Sequence, residues 1–329
     1  MKHATMLMLA YGCWGLAFTD SARAQQPAPP KPDTPESLTH IENARNIAGT
    51  YWAKEEKFLC ETSNATATPR AADPGTVKLF DNLYAIPGTY GVGNAVLYIL
   101  KTSAGLIMID TGSASDVETI DLPGFKALGL NPADIKVIII PHGHADHFGG
   151  APWFQEHINS VQIYMAAADW DFITKPAPAG RKGAPPVLPR HDKDVVEGQP
   201  IVLGDEQITP IFIPGHTPGT VGLFFPVKDG GEMHVAAIFG GGFLAAPTVE
   251  LDRQFIESIS HFEEWAAKMH ADVELMPHPV MDNFADKLTA LRARKPGEPN
   301  PFVVGRANYT KFLDVLSECS KAALARYVQ

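Results

Sequence analysis

Chemistry-bearing residues crowd into Pro141-His142-Gly143-His144-Ala145-Asp146-His147-Phe148-Gly149-Gly150. His142, His144, Asp146 and His147 give four ligand-type side chains at His-x-His-x-Asp-His spacing. In a loop, alternate positions can turn several side chains toward one centre. Imidazole and carboxylate together suit zinc, at about 2.0–2.2 Å from the metal. A single histidine there would read as a hydrogen-bonded structural residue, but four ligand types bounded by glycine do not. Two more histidines occupy rigid turns, His216 in Pro214-Gly215-His216-Thr217-Pro218-Gly219 and His278 in Met276-Pro277-His278-Pro279. Each alone would count as structural, yet tight turns at strand ends are places where a ligand is held in position. His40, His157, His191, His234, His261 and His270 lack such a setting and read as surface or packing residues. No Gly-x-Ser-x-Gly elbow occurs, so a Ser-His-Asp triad is not legible.

The elements around these residues follow from hydrophobic pattern. Val137-Ile138-Ile139-Ile140 is fully apolar, as suits a strand buried on both faces, and feeds directly into the histidine loop. Short apolar runs at Val77–Phe80, Leu83–Ile86, Ala95–Leu100 and Leu106–Ile109, separated by Gly or Asn turns, predict an antiparallel meander. Further strands are expected at Val161–Met165, Pro200–Leu203, Ile208–Ile213, Val221–Phe225, His234–Phe239 and Val273–Met276. Phe255, Ile259, Phe262, Ala266 and Met269 recur at helical spacing, as do Tyr309, Phe312, Leu316, Cys319 and Ala323. An earlier helix carries Ile41, Ala44, Ala48 and Trp52 on one face, and another surrounds Phe125, Leu128 and Leu130. Strands precede helices in each half, which predicts an α/β fold of two sheets between outer helices.

The His-x-His-x-Asp-His-x-Gly-Gly motif, the later Gly-His-Thr-Pro-Gly and the final Pro-His-Pro resemble the metallo-β-lactamase superfamily, over about Val77 to Pro279. That resemblance implies an αβ/βα four-layer sandwich with two zinc ions at one edge. It assigns His142, His144 and His216 to one zinc, and Asp146, His147 and His278 to the other. Asp110, in Ile109-Asp110-Thr111-Gly112, matches the family's strand-end aspartate, which orients a ligand from behind. A water shared by the two metals would be the nucleophile toward a carbonyl, with Asp146 helping to aim it. Many hydrolases of the superfamily carry a bridging aspartate where this chain reads Phe239-Gly240-Gly241-Gly242-Phe243. Five histidines and one aspartate, without that carboxylate or a cysteine ligand, resemble the third metallo-β-lactamase subclass and imply β-lactam hydrolysis. That subclass places serines where Gly242–Ala246 stand here, and their loss favours the alternative of a lactone, thioester or other ester hydrolase. An iron protein of the same fold, handling redox chemistry, usually shows extra carboxylate ligands that this chain lacks. Lys175, Arg181 and Lys182 in the Thr174–Arg190 loop read as carboxylate-binding or as solvated charges. The Gly88–Gly93 loop with Tyr90 reads as a lid or a plain hairpin.

The 329 residues are 45% hydrophobic and 19% charged, with a formal net charge of −10. Acidic balance without a basic run argues against nucleic acid or an anionic membrane as partner and reads as solubility, while the hydrolase resemblance implies a small-molecule substrate. Lys2, the apolar run Ala4–Phe18 and Ser21-Ala22-Arg23-Ala24 predict a signal peptide over residues 1–24, hence a secreted, periplasmic protein. The apolar run is shorter than the roughly 20 residues of a bilayer span, so no stable membrane anchor is expected. Residues 25–36, rich in Pro and Gln, read as a disordered leader, and residues 37–329 as one hydrolase domain. Cleavage would remove Cys13 and leave Cys60 and Cys319, which either pair in an oxidising compartment or leave Cys319 as a core residue of the last helix.

Overall fold

The computed structural model describes residues 31–60, 75–88, 95–176, 185–242 and 248–328. Among these, seven strands form one sheet in sequence order: β1 (Val77–Lys78), β2 (Leu83–Pro87), β3 (Val96–Thr102), β4 (Gly105–Ile109), β5 (Ile135–Ile139), β6 (Gln162–Met165) and β7 (Lys193–Asp194). The first four are antiparallel neighbours, as the meander predicts, while β4 to β7 run parallel. A second sheet has the order β12-β11-β10-β9-β8, from β8 (Ile201–Leu203), β9 (Glu206–Phe212), β10 (Val221–Asp229), β11 (Glu232–Ile238) and β12 (Val273–Leu275).

Side chains alternate across each strand, so consecutive apolar residues serve different layers. Ile139 and Phe225 face the other sheet, whereas Ile138 faces helices on one side and Phe224 faces helices on the other. Three apolar layers result: one between the sheets and one outside each. Phe125 of α3 (Leu122–Leu128) and Phe154 of α5 (Ala151–His157) fill the layer outside the first sheet. The layer outside the second belongs to α1 (Pro35–Ala48), α2 (Ala53–Cys60), α7 (Val249–Met269) and α9 (Arg306–Ala325). This is the αβ/βα arrangement. Thr248 caps α7 by accepting from Leu251 N, and Phe255, Ile259, Phe262 and Ala266 form its buried stripe.

Cys60 of α2 and Cys319 of α9 are joined by a disulfide, with Cα atoms 4.6 Å apart. Cys319 is buried as well, so pairing and core packing coexist. The first helix departs from its predicted face. It stops at Ala48, capped by Gly49, and Trp52 lies beyond it, donating to Asn308 O at 2.9 Å and packing on Phe312. It also starts at Pro35, inside the stretch expected as leader, because Thr34 and Ser37 build a capping box. The expected signal peptide and the first half of that leader lie outside the described residues, as does the Tyr90 loop apart from Gly88. Among the described residues, no helix is long and apolar enough to cross a membrane.

Candidate metal centre

Five strands deliver the site residues from their C-terminal ends: β4 (Asp110), β5 (His142), β9 (His216), β11 (Gly240) and β12 (His278). β4 and β5 are parallel, and so are β11 and β12. β9 shares their direction because two antiparallel steps separate it from β11. All five ends therefore open on one edge of the sandwich, where ligand sites of α/β sheets form. Hydrogen bonds between the sheets hold that edge together. Val221 N donates to Pro141 O at 2.9 Å, Val96 N to Pro277 O at 2.8 Å, and the Tyr98 hydroxyl to Met276 O at 2.9 Å.

His142, His144 and His216 come together. His216 Nε2 stands 3.1 Å from both His142 Nε2 and His144 Nδ1. His142 Nδ1 donates to Gly240 O at 2.8 Å, which leaves Nε2 with its lone pair in the cluster. Burial, then the neighbouring imidazoles, hold His142 well below the usual histidine pKa, so it is a neutral ligand-type base. A tetrahedral zinc at about 2.0–2.1 Å from each nitrogen separates them by about 3.3 Å, close to the spacing seen.

Asp146, His147 and His278 form a second group. His147 Nε2 is 3.1 Å from His278 Nε2 and 3.6 Å from Asp146 Oδ2, which is 3.9 Å from His278 Nε2. Asp146 and His147 lie on α4 (Ala145–Phe148), a single turn opening from His144. Burial pushes the Asp146 carboxyl up, but His147 and His278 outweigh it and bring it to about 2. The rings of His142 and His147 are 3.9 Å apart, so the groups share a wall. His142, His147 and His278 are buried at the back, while His144, Asp146 and His216 are partly exposed at the mouth. Phe172 of α6 (Ala167–Ile173) borders that mouth, its ring 6.0 Å from His144. Each of the two groups offers three donors of the kinds zinc prefers, and in both the donor atoms lie within 4.8 Å of one another.

Asp110, at the end of β4, lies behind the second group. Its Oδ2 pairs with His147 Nδ1, and its Oδ1 accepts from Thr111 N at 2.7 Å and Gly112 N at 2.8 Å. Burial works against charge on His147, but Asp110 and Asp146 outweigh it and raise its proton affinity; its Nδ1 faces Asp110 and its Nε2 faces the cluster. The arrangement requires φ of +75° at Asp110, a left-handed conformation costing roughly 1–3 kcal/mol in a non-glycine residue.

The Gly240–Gly242 segment carries no ligand, and packing explains why. A Cβ on Gly240 would lie 1.9 Å from Val221 O, and one on Gly241 would lie 2.7 Å from the Cβ of His216. One on Gly242 would lie 2.4 Å from Met281 Sδ. Side chains are excluded so that the backbone can back His142 and His216. Of the loop residues named in the sequence, Lys175 is exposed beyond α6, while Arg181, Lys182 and Phe243–Pro247 lie outside the described residues. Sequence reasoning missed Asp169, on α6. Its carboxylate contacts both histidine loops, and nothing local in Ala167–Ile173 signals it.

Residues 88–230 match the Metallo-beta-lactamase superfamily, and the chain contains a domain of that superfamily. Its fold resembles that of BJP-1, a subclass B3 metallo-β-lactamase of Bradyrhizobium japonicum, at 27% identity and TM-score 0.59, over 76% of this chain and 92% of that one. FEZ-1 metallo-β-lactamase from Legionella gormanii shares the fold at 24% identity and TM-score 0.63, over 74% of this chain and 93% of that one. Among curated proteins, the probable metallo-hydrolase YflN of Bacillus subtilis is 31% identical over 147 residues, 40% of this chain and 53% of its own length. The N-acyl homoserine lactonase AiiA of Bacillus thuringiensis subsp. kurstaki is 28% identical over 160 residues, 41% of this chain and 60% of its own. The chain thus spans little more than half the length of these curated relatives. The fold agrees with the superfamily match, and each of the two donor groups could hold a metal ion.

Proposed function

We propose that this protein is a dinuclear zinc hydrolase of cyclic amides, with β-lactams as its substrate class. In this reading His142, His144 and His216 hold one zinc, and Asp146, His147 and His278 hold the other. The observation that carries it is the pairing of two three-donor groups with a strand end that has no room for a bridging carboxylate. Two zinc ions bound there would supply Lewis acidity and a water of near-neutral pKa.

The chain's own residues account for the rest. Neutral His142 presents Nε2 as a donor because Gly240 O holds its other nitrogen. Asp146 stays anionic, so it can orient the attacking water while binding metal. Hydrolysis joins the water oxygen to the acyl carbon, breaks the C–N bond and leaves a proton on the departing nitrogen. Substrate enters on the side of His144, Asp146 and His216, beside Phe172. Export to an oxidising compartment such as the periplasm belongs to the same reading, supported by the Cys60–Cys319 bridge.

A second reading, hydrolysis of lactones or other esters, is favoured by a specific feature. Gly242 packs against the side chains of Met281 and Met276 and offers no hydroxyl to meet a β-lactam carboxylate. The lactonase AiiA is also among the relatives. Zinc-loaded protein should be assayed on a carbapenem, a cephalosporin and an N-acyl homoserine lactone, with and without chelator. β-Lactam turnover of about 10 s⁻¹, the enzyme median, abolished by chelation, is the expected result. Lactone turnover alone would move the assignment to the second reading. No turnover of any of them with two zinc ions bound would overturn both.

A further inference from the structure

Asp169 is fully buried on α6, an element that supplies no metal donor and lies apart in sequence from both histidine turns. Its Oδ2 accepts from Gly143 N at 2.6 Å and from the Thr217 hydroxyl at 2.6 Å, and its Oδ1 accepts from Gly219 N at 2.8 Å. Gly143 lies between His142 and His144, and Thr217 directly follows His216. One carboxylate therefore ties the loop after β5, in the first sheet, to the loop after β9, in the second.

We infer that Asp169 is the positioning residue that sets His142, His144 and His216 as one unit, so that one of the two zinc ions depends on it. This rests on the metal reading above. Close packing makes the same point independently. A Cβ on Gly219 would lie 2.7 Å from Asp169 N and 2.8 Å from its Cγ, and one on Gly143 would lie 3.2 Å from that Cγ. Both loops are trimmed to glycine where they meet this side chain. Its three donors suit an acceptor-only group. Burial pushes the carboxyl up, and the hydrogen bonds from Thr217, Gly219 and Gly143 oppose that. Asparagine would keep the shape but aim an NH2 group at a donor. Asp169 touches neither substrate nor metal in this scheme; it acts through the backbone of the ligand loops.

The test combines Asp169→Asn and Gly219→Ala with two measurements. Amide exchange by NMR on zinc-free protein reads the strap without metal. Protection should fall at Gly143 and Gly219 together in Asp169→Asn and persist at Thr111 and Gly112, which bond Asp110 instead. Zinc titration against a chromophoric chelator should show one of the two sites weakened about 10- to 100-fold, the range for removing an outer-shell partner, and the other unchanged. Gly219→Ala should reproduce that split. Retained protection at both glycines, or equal weakening of both zinc sites, would overturn the proposal. A wild-type chain that binds no zinc while the exchange pattern holds would overturn the metal reading and leave Asp169 as the strap between the loops.

Discussion

The two donor groups meet at one edge of the sandwich, but different parts of the fold hold them. His142, His144 and His216 come from both sheets. Gly240 O fixes one ring and Asp169 ties the two loops, so this group spans the gap between β5 and β9. His147 and Asp146 instead share a single turn, and their brace is Asp110, held in a left-handed conformation at the end of β4. His278 joins them from β12, pinned through Tyr98 and Val96. A site spread over two sheets is thus made rigid by backbone contacts on one side and by one strained carboxylate on the other. Each brace can be broken without touching the opposite group.

The largest effect should come from removing a ligand on either side. His216→Ala and His278→Ala should each lower bound zinc from two per chain to one, measured by elemental analysis, and reduce hydrolysis to background. If either variant keeps two, the group it belongs to is not a ligand set. Asp110→Asn should be milder and one-sided. It removes the anion that fixes the His147 proton, so one zinc should bind about 10- to 100-fold more weakly while the other is unaffected.

Cys60→Ser is the control remote from both groups. It opens the bridge between α2 and α9, and thermal unfolding should show a loss of about 2–5 kcal/mol, with zinc content unchanged.

A further test, away from the metal donors, concerns Asp121, buried in the π-helical turn Val117–Asp121 with its Oδ2 unpartnered. Burial, then Asp116 and Asp110, push its carboxyl up to about 8. The folded chain therefore keeps a proton that the unfolded chain releases near pH 4, the usual aspartate range of about 3.9. Its contribution to stability falls as pH rises from about 4 to about 8. Asp121→Asn should shrink the drop in Tm between pH 5 and pH 8, and an unchanged drop would contradict that assignment.

How much of this was legible in the sequence depends on the range of each contact. The histidine loops announce themselves because His142, His144, Asp146 and His147 are close neighbours, and Gly or Pro flanks His216 and His278. Asp110 was readable as a strand-end aspartate. Asp169 was not, because its partners are 26, 48 and 50 residues away and its own helix is an ordinary short run. The central strands were legible from apolar runs such as Ile138-Ile139-Ile140. β7 is two exposed residues whose pairing with β6 depends on tertiary context. α2 was hidden in Ala53-Lys54-Glu55-Glu56-Lys57-Phe58-Leu59-Cys60, where Glu55 and Glu56 are buried against the usual polarity pattern. α8 (Phe284–Ala293) likewise buries only Phe284 and Leu288, too sparse a stripe to stand out.

In the proposed function, two metals occupy two separate donor groups. X-ray diffraction from zinc-soaked crystals, with anomalous maps above and below the zinc edge, tests it most directly. Two peaks are expected, one among His142 Nε2, His144 Nδ1 and His216 Nε2, the other among Asp146, His147 and His278. A single peak, or zinc bound away from these six residues, would contradict the account.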